Sequence, residues 1–180
     1  MKKYIILLIV LITTTVVIFG SIYAYDKITA DKEVPTESSQ SQNKPGTAND
    51  FTAYNYDKEK FTLTQMQGKP TVVNFWATWC PPCVGELPQF ENAYKEYGTR
   101  INFMMVNTED ASQMRDVVNF INDNGYSFPV YYDLDYSGMK TYSINAIPVT
   151  LFIDANGNLI DKQVGAMDEA TLKEKIEQLL

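Results

Sequence analysis

Segments with strand character alternate with segments of helical periodicity from residue 71 onward, and the alternation finishes in a hairpin. That order confines the chain to an α/β sheet of mixed direction. Thr71-Val72-Val73-Asn74-Phe75-Trp76, introduced by Gly68-Lys69-Pro70, reads as the first strand of the alternation. Val84, Leu87, Phe90, Ala93 and Tyr94 then recur at helical spacing up to Gly98. Residues 101–107 predict another strand, residues 114–121 a second helix ended by Asn124-Gly125, and residues 128–132 a short strand. A short helix is expected over 137–142 and a strand over 148–153. Asn156-Gly157 is a strong hairpin signal leading into 159–164. Asp168 is placed to cap a last helix with Leu172, Ile176 and Leu179 on one face. Upstream, residues 51–63 alternate apolar and polar around Asp57-Lys58-Glu59, which predicts a separate hairpin.

The N-terminus has a different character. Lys2 and Lys3 precede an uncharged, largely apolar run over residues 4–25. Its 22 residues are about enough to cross a bilayer as a helix, and exceed the roughly 7–15 residues of a signal-peptide core. The lysine pair favours an N-terminus that stays inside, with the remainder delivered outside. Residues 1–25 are therefore expected to form a transmembrane signal-anchor. The rival is cleavage after Ala24 and secretion, for which Ile22 makes a poor small-x-small site. No cysteine follows the run, which excludes a lipoprotein anchor. Residues 26–49 are polar and read as a flexible linker, leaving 50–180 as the folded domain. Residues 1–50 carry five Lys and five Asp/Glu, so the net charge of -7 lies in residues 51–180, with 10 Lys/Arg against 17 Asp/Glu. An acidic domain argues against nucleic acid as a partner and against lying on anionic lipid.

Both cysteines sit in Trp79-Cys80-Pro81-Pro82-Cys83-Val84, between the first strand of the alternation and its helix. No sulfur remains for a structural disulfide elsewhere. His is absent, which excludes a Cys-His or Ser-His pair and any His-ligated metal. A zinc site needs about four ligands and no further Cys is present. A staple closing so small a loop would constrain the unfolded chain little. The arrangement points to a redox dithiol, and no cofactor or metal is implied. A helix N-terminus favours a thiolate, so Cys80 is expected exposed at that edge, with Cys83 one turn inside and shielded. Cys80 can then attack a substrate disulfide, and Cys83 can resolve the mixed disulfide. Pro81 and Pro82 fit the first helical turn and remove two N–H donors from the thiolate, which keeps the couple reducing.

Asn74-Phe75-Trp76-Ala77-Thr78-Trp79-Cys80-Pro81-Pro82-Cys83 resembles the active-site segment of the thioredoxin superfamily, in particular its membrane-anchored, extracytoplasmic TlpA/ResA-like branch. The resemblance covers residues 46–180. It implies a thioredoxin-like mixed sheet flanked by helices, with an N-terminal β-hairpin extension at 51–63 and a central insertion at 128–142. Pro88 falls where the family's first helix is kinked. Ile147-Pro148 resembles the cis-proline loop that faces the dithiol and pairs with substrate backbone. Asn74 stands where cytosolic thioredoxins carry a buried aspartate that handles protons, although it is equally well a strand residue with a satisfied amide. Glu86 matches the glutamate that ResA-like proteins have near the dithiol. On a helix it faces the same side as Cys83 and could exchange that thiol's proton if burial raises its pKa. An ordinary solvated carboxylate is its plainer reading. Trp79 is expected to shield the dithiol and contact partners, or else simply to pack. Trp76 and Met104-Met105 read as core.

By resemblance, the chain reduces disulfides in exported proteins, such as apocytochromes c before haem attachment, and draws electrons from a membrane carrier of the CcdA/DsbD type. The same residues serve the opposite direction, the formation of disulfides in exported proteins; redox potential and partners decide between them. A non-enzymatic binding module on this scaffold is a third possibility, against which the retention of both cysteines argues.

Overall fold

The computed structural model describes residues 46–180. The expected signal-anchor and most of the expected linker lie outside the described residues. In chain order the elements are β1 (Gly46–Thr47), β2 (Thr52–Tyr54), β3 (Lys60–Thr62), β4 (Thr71–Trp76), α1 (Pro81–Tyr97), β5 (Asn102–Asn107), α2 (Met114–Asp123), β6 (Val130–Tyr132), α3 (Ser137–Thr141), β7 (Val149–Ile153), β8 (Asn158–Val164) and α4 (Glu169–Glu177). The strands form one sheet in the order β1-β8-β7-β4-β5-β6-β2-β3. β4, β5 and β6 run parallel, whereas β7 is antiparallel to β4 and to β8. The hairpin expected at 51–63 is β2–β3, which joins the sheet through β6.

Strand alternation explains where the functional side chains point. Val72 and Trp76 of β4, Phe103 and Met105 of β5 and Phe152 of β7 join one core, packed with Leu87 and Phe90 of α1, Val117 of α2 and Leu172 and Ile176 of α4. Val73 and Phe75, Met104 and Val106, and Leu151 belong to a second core with Phe51, Ala53, Tyr142 and Ile144. Asn74 lies midway between Val72 and Trp76, so its polar side chain takes the α1 side of the sheet. Thr150 is its register partner on β7.

Several boundaries differ from the sequence expectation for physical reasons. The sheet begins within the stretch whose composition reads as linker: Gly46 and Thr47 pair with Leu159 and Asn158, and Ala48 N donates to Gly157 O at 2.8 Å. An edge strand obtains these bonds from backbone alone, so its polar side chains give no warning. The strand expected from 128 starts at Val130, after Pro129, which has no N–H to give. Tyr136, at the head of α3, has φ 57° and ψ 27°. This left-handed conformation costs a bulky residue about 1–2 kcal/mol. It is held by Tyr136 N donating to Asp133 O at 3.0 Å, while the buried Asp133 carboxylate accepts from Gly138 N and Met139 N at 3.0 and 2.8 Å.

Candidate active site

The C-terminal end of β4 delivers the chain to the head of α1, and the two cysteines lie at that junction. Cys80 is the N-cap residue and Pro81 and Pro82 occupy the first two helical positions. With those two N–H groups missing, Cys83 N is the first donor available, and it donates to Cys80 Sγ at 3.3 Å. The cysteines form a disulfide with an S–S distance of 2.04 Å. Cys80 is not the exposed residue the sequence predicts: it is 4% accessible, against 0% for Cys83. The disulfide turns its sulfur toward the protein, with Ile147 O 3.7 Å away. The asymmetry between the two survives in another form, because Cys80 lines a surface cavity and Cys83 does not.

Glu86, one turn after Cys83, is 1% accessible, which rules out the plain solvated carboxylate. Its Oε1 accepts from Asn74 Nδ2 at 2.9 Å and its Oε2 from Met167 N at 3.0 Å. Asn74 Nδ2 also donates to Thr150 Oγ1 at 3.0 Å, so β4, β7, α1 and the loop before α4 are joined through the Asn74 amide and the Glu86 carboxylate. Burial pushes the Glu86 carboxyl above the ordinary range, and the bonds from Met167 and Asn74 only partly offset it. Asn74 is therefore a donor to Glu86, and its amide is satisfied on one side only, since Oδ1 has no partner among the described residues. Pro88 lies inside α1, exposed, where it offers no N–H to the preceding turn.

The peptide bond between Ile147 and Pro148 is cis. Pro148 is buried and its carbonyl accepts from Gly165 N at 2.9 Å. Ile147 forms one wall of the cavity beside Cys80, with Trp79, Pro81 and Pro82. The cavity measures about 640 Å³. Trp79 is 65% accessible and so does not pack into the core, whereas Trp76 is fully buried against Phe120. Met104 and Met105 are core residues on opposite faces of the sheet. Among the described residues no group of His, Cys, Asp and Glu is placed to hold a metal ion.

Glu109 is the site residue that the sequence reading misses. It is 5% accessible and follows β5, whose C-terminal end lies beside that of β4. Its carboxylate accepts from Thr78 N at 2.8 Å, Thr78 Oγ1 at 2.7 Å and Asn107 Nδ2 at 2.9 Å. It thus fixes the loop two residues before Cys80. Sites in α/β sheets gather at the carboxyl ends of parallel strands, and the polar run Asn107-Thr108-Glu109-Asp110 at the end of a predicted strand was the available signal.

The Redoxin family model matches residues 40–180. The thiol-disulfide oxidoreductase ResA of Halalkalibacterium halodurans is 29% identical over 154 residues, covering 85% of this chain and 82% of the relative. Sporulation thiol-disulfide oxidoreductase A of Bacillus subtilis is 34% identical over 114 residues, covering 62% of this chain and 69% of the relative. The crystal structure of StoA from Bacillus subtilis superposes with a TM-score of 0.60 at 30% identity, covering 73% of this chain and 98% of that one. Together with the dithiol, these likenesses make the protein a thioredoxin-like thiol–disulfide oxidoreductase. With its mixed sheet, flanking helices and Cys80–Cys83 pair at the head of α1, the chain belongs to the Redoxin family and is similar within it to the ResA-like oxidoreductases.

Proposed function

We propose that this oxidoreductase works outside the membrane, tethered by residues 1–25, and reduces disulfides in exported proteins, with apocytochromes c as candidate clients. The observation that carries the reading is the division of labour at the dithiol: Cys80 lines the cavity, while Cys83 is fully buried behind it. In the reduced protein the Cys80 thiolate attacks a client disulfide. A Cys80–client S–S bond forms and the first client thiolate leaves. Cys83 then gives its proton to Glu86 and attacks Cys80 Sγ, which forms the Cys80–Cys83 bond and releases the second client thiolate. Two electrons pass to the client, and a membrane donor of the CcdA/DsbD type returns them. A carboxyl raised by burial is a better proton acceptor near neutral pH than an ordinary one.

Trp79 supplies exposed apolar contact, and Ile147 with cis-Pro148 presents backbone to the client beside Cys80. Asn74 holds Glu86 in place. Pro81 and Pro82 limit the donors around Cys80 to the Cys83 N–H, which favours a reducing couple, and Pro88 shapes the helix that carries Cys83 and Glu86. The apolar run behind Lys2 and Lys3 supports an anchored, outward-facing placement. Equilibration of the full chain with glutathione tests the direction. A couple more reducing than glutathione supports a reductase; a more oxidising one assigns the same residues to disulfide formation.

A further inference from the structure

We infer that Asp110 and Tyr136 form a specificity wall in the cavity beside Cys80, selecting client segments that carry Lys or Arg next to the attacked cysteine. The inference rests on the client-reducing role proposed above. Around Cys80 the cavity is apolar, with Trp79, Pro81, Pro82 and Ile147; the rest of its lining includes Glu109, Asp110, Tyr136 and Met139, and none of its lining residues is Lys or Arg. Glu109 is buried and its oxygens are occupied by Thr78 and Asn107. Asp110 is exposed, and the Tyr136 hydroxyl donates to its Oδ1 at 2.7 Å. Neither carboxylate takes part in a salt bridge among the described residues. The cavity that Cys80 lines therefore has two carboxylates and no cation among its lining residues.

Tyr136 adds an exposed aromatic face to that wall. It is one of only a few large hydrophobic side chains exposed among the described residues, and it shares its cavity with another of them, Trp79. Its left-handed backbone is held by Asp133, which fixes where the chain presents the ring. Exposed aromatic faces and an exposed carboxylate in no salt bridge favour one kind of guest: a cationic head on a long aliphatic stem. An acidic segment would meet Asp110 and Glu109 without any compensating cation.

The test uses the full chain, reduced and freed of reductant, with matched peptide disulfides that carry Lys, Ala or Glu beside the cysteine. The Lys peptide is expected to react about fivefold faster than the Glu peptide at low ionic strength, a difference that shrinks in high salt. Asp110→Lys is expected to invert the order. Tyr136→Phe, which keeps the ring but removes the hydroxyl that holds Asp110 in the cavity wall, is expected to narrow it. The ratio between peptides is the readout, because a loss of folded protein does not change it. Equal rates for all peptides in the wild type, or a preference that Asp110→Lys leaves in place, overturn the inference while the exchange chemistry stands. Failure of every peptide to react overturns the client-reducing role and the inference with it.

Discussion

Asn74 Nδ2 donates to Glu86 Oε1 at 2.9 Å, joining the middle of β4 to α1 one turn beyond Cys83. A polar residue in the centre of a buried strand and a carboxylate on the helix above it thus satisfy one another. Glu86 has donors on both oxygens and no cation, so burial wins and its proton is held more tightly in the folded than in the unfolded chain. Such a carboxyl contributes stability below the ordinary carboxylate range, about 4.3, and that contribution is lost as pH rises through its raised value.

Glu86→Gln removes that titration. The Asn74 amide can turn to offer its partnerless Oδ1 to the new Nε2 group, so the variant is expected to stay within about 1 kcal/mol of wild type. Urea midpoints of the two proteins are expected to diverge in favour of Glu86→Gln as pH rises from about 4 toward neutrality. The pH dependence of disulfide exchange is expected to lose one inflection. Parallel stability curves and an unchanged rate profile would remove Glu86 from proton handling.

Glu109→Ala strips the acceptor from Thr78 N, Thr78 Oγ1 and Asn107 Nδ2 together. A destabilisation of about 2 kcal/mol is expected in chemical denaturation, because one buried and two partly buried donors are left unpaired. Exchange at Cys80 is expected to slow as well, since Thr78 anchors the loop that carries it. A change under about 0.5 kcal/mol, typical of a surface position, would contradict this anchoring role.

Trp79→Ala is expected to behave in the opposite way. The exposed ring contributes little to folding, so stability should change by less than about 0.5 kcal/mol. Rates with protein disulfides are expected to drop severalfold while rates with glutathione disulfide hold. Equal losses with both substrates would mean that the indole acts on the dithiol itself rather than on the client.

Gly138 tests the packing beneath the Tyr136 segment. A Cβ there would meet Phe75 Cε1 at 2.7 Å and Phe51 Cδ2 at 2.8 Å. Both rings are buried in the second core, so Gly138→Ala is expected to cost about 1–3 kcal/mol in thermal or urea unfolding. Wild-type stability in this variant would show that the insertion yields more readily than its packing implies.

Local chemistry made much of this fold legible. Asp168 does cap α4, its Oδ1 accepting from Thr171 N at 2.8 Å, and Gly157 supplies the positive φ that the Asn156-Gly157 turn requires. Pro81 and Pro82 mark the first turn of α1 because proline belongs there. What stayed hidden was long-range. Glu109 reaches Thr78 across 31 residues, Asp110 meets Tyr136 across 26, and β1 pairs with a strand more than 100 residues away. No periodicity encodes such meetings; the sheet order creates them. The burial of Cys80 was missed for a similar reason, since its cover comes from Ile147, 67 positions on.

The most direct measurement is covalent trapping at Cys80. The full chain carrying Cys83→Ala, reduced and mixed with a disulfide-linked client peptide, is expected to accumulate a mixed disulfide that mass spectrometry locates on Cys80. Cys80→Ala is expected to accumulate none, because Cys83 is fully buried. A trapped adduct on Cys83 in the Cys80→Ala protein, or no adduct in either variant, would contradict the assignment of attack to Cys80 and resolution to Cys83.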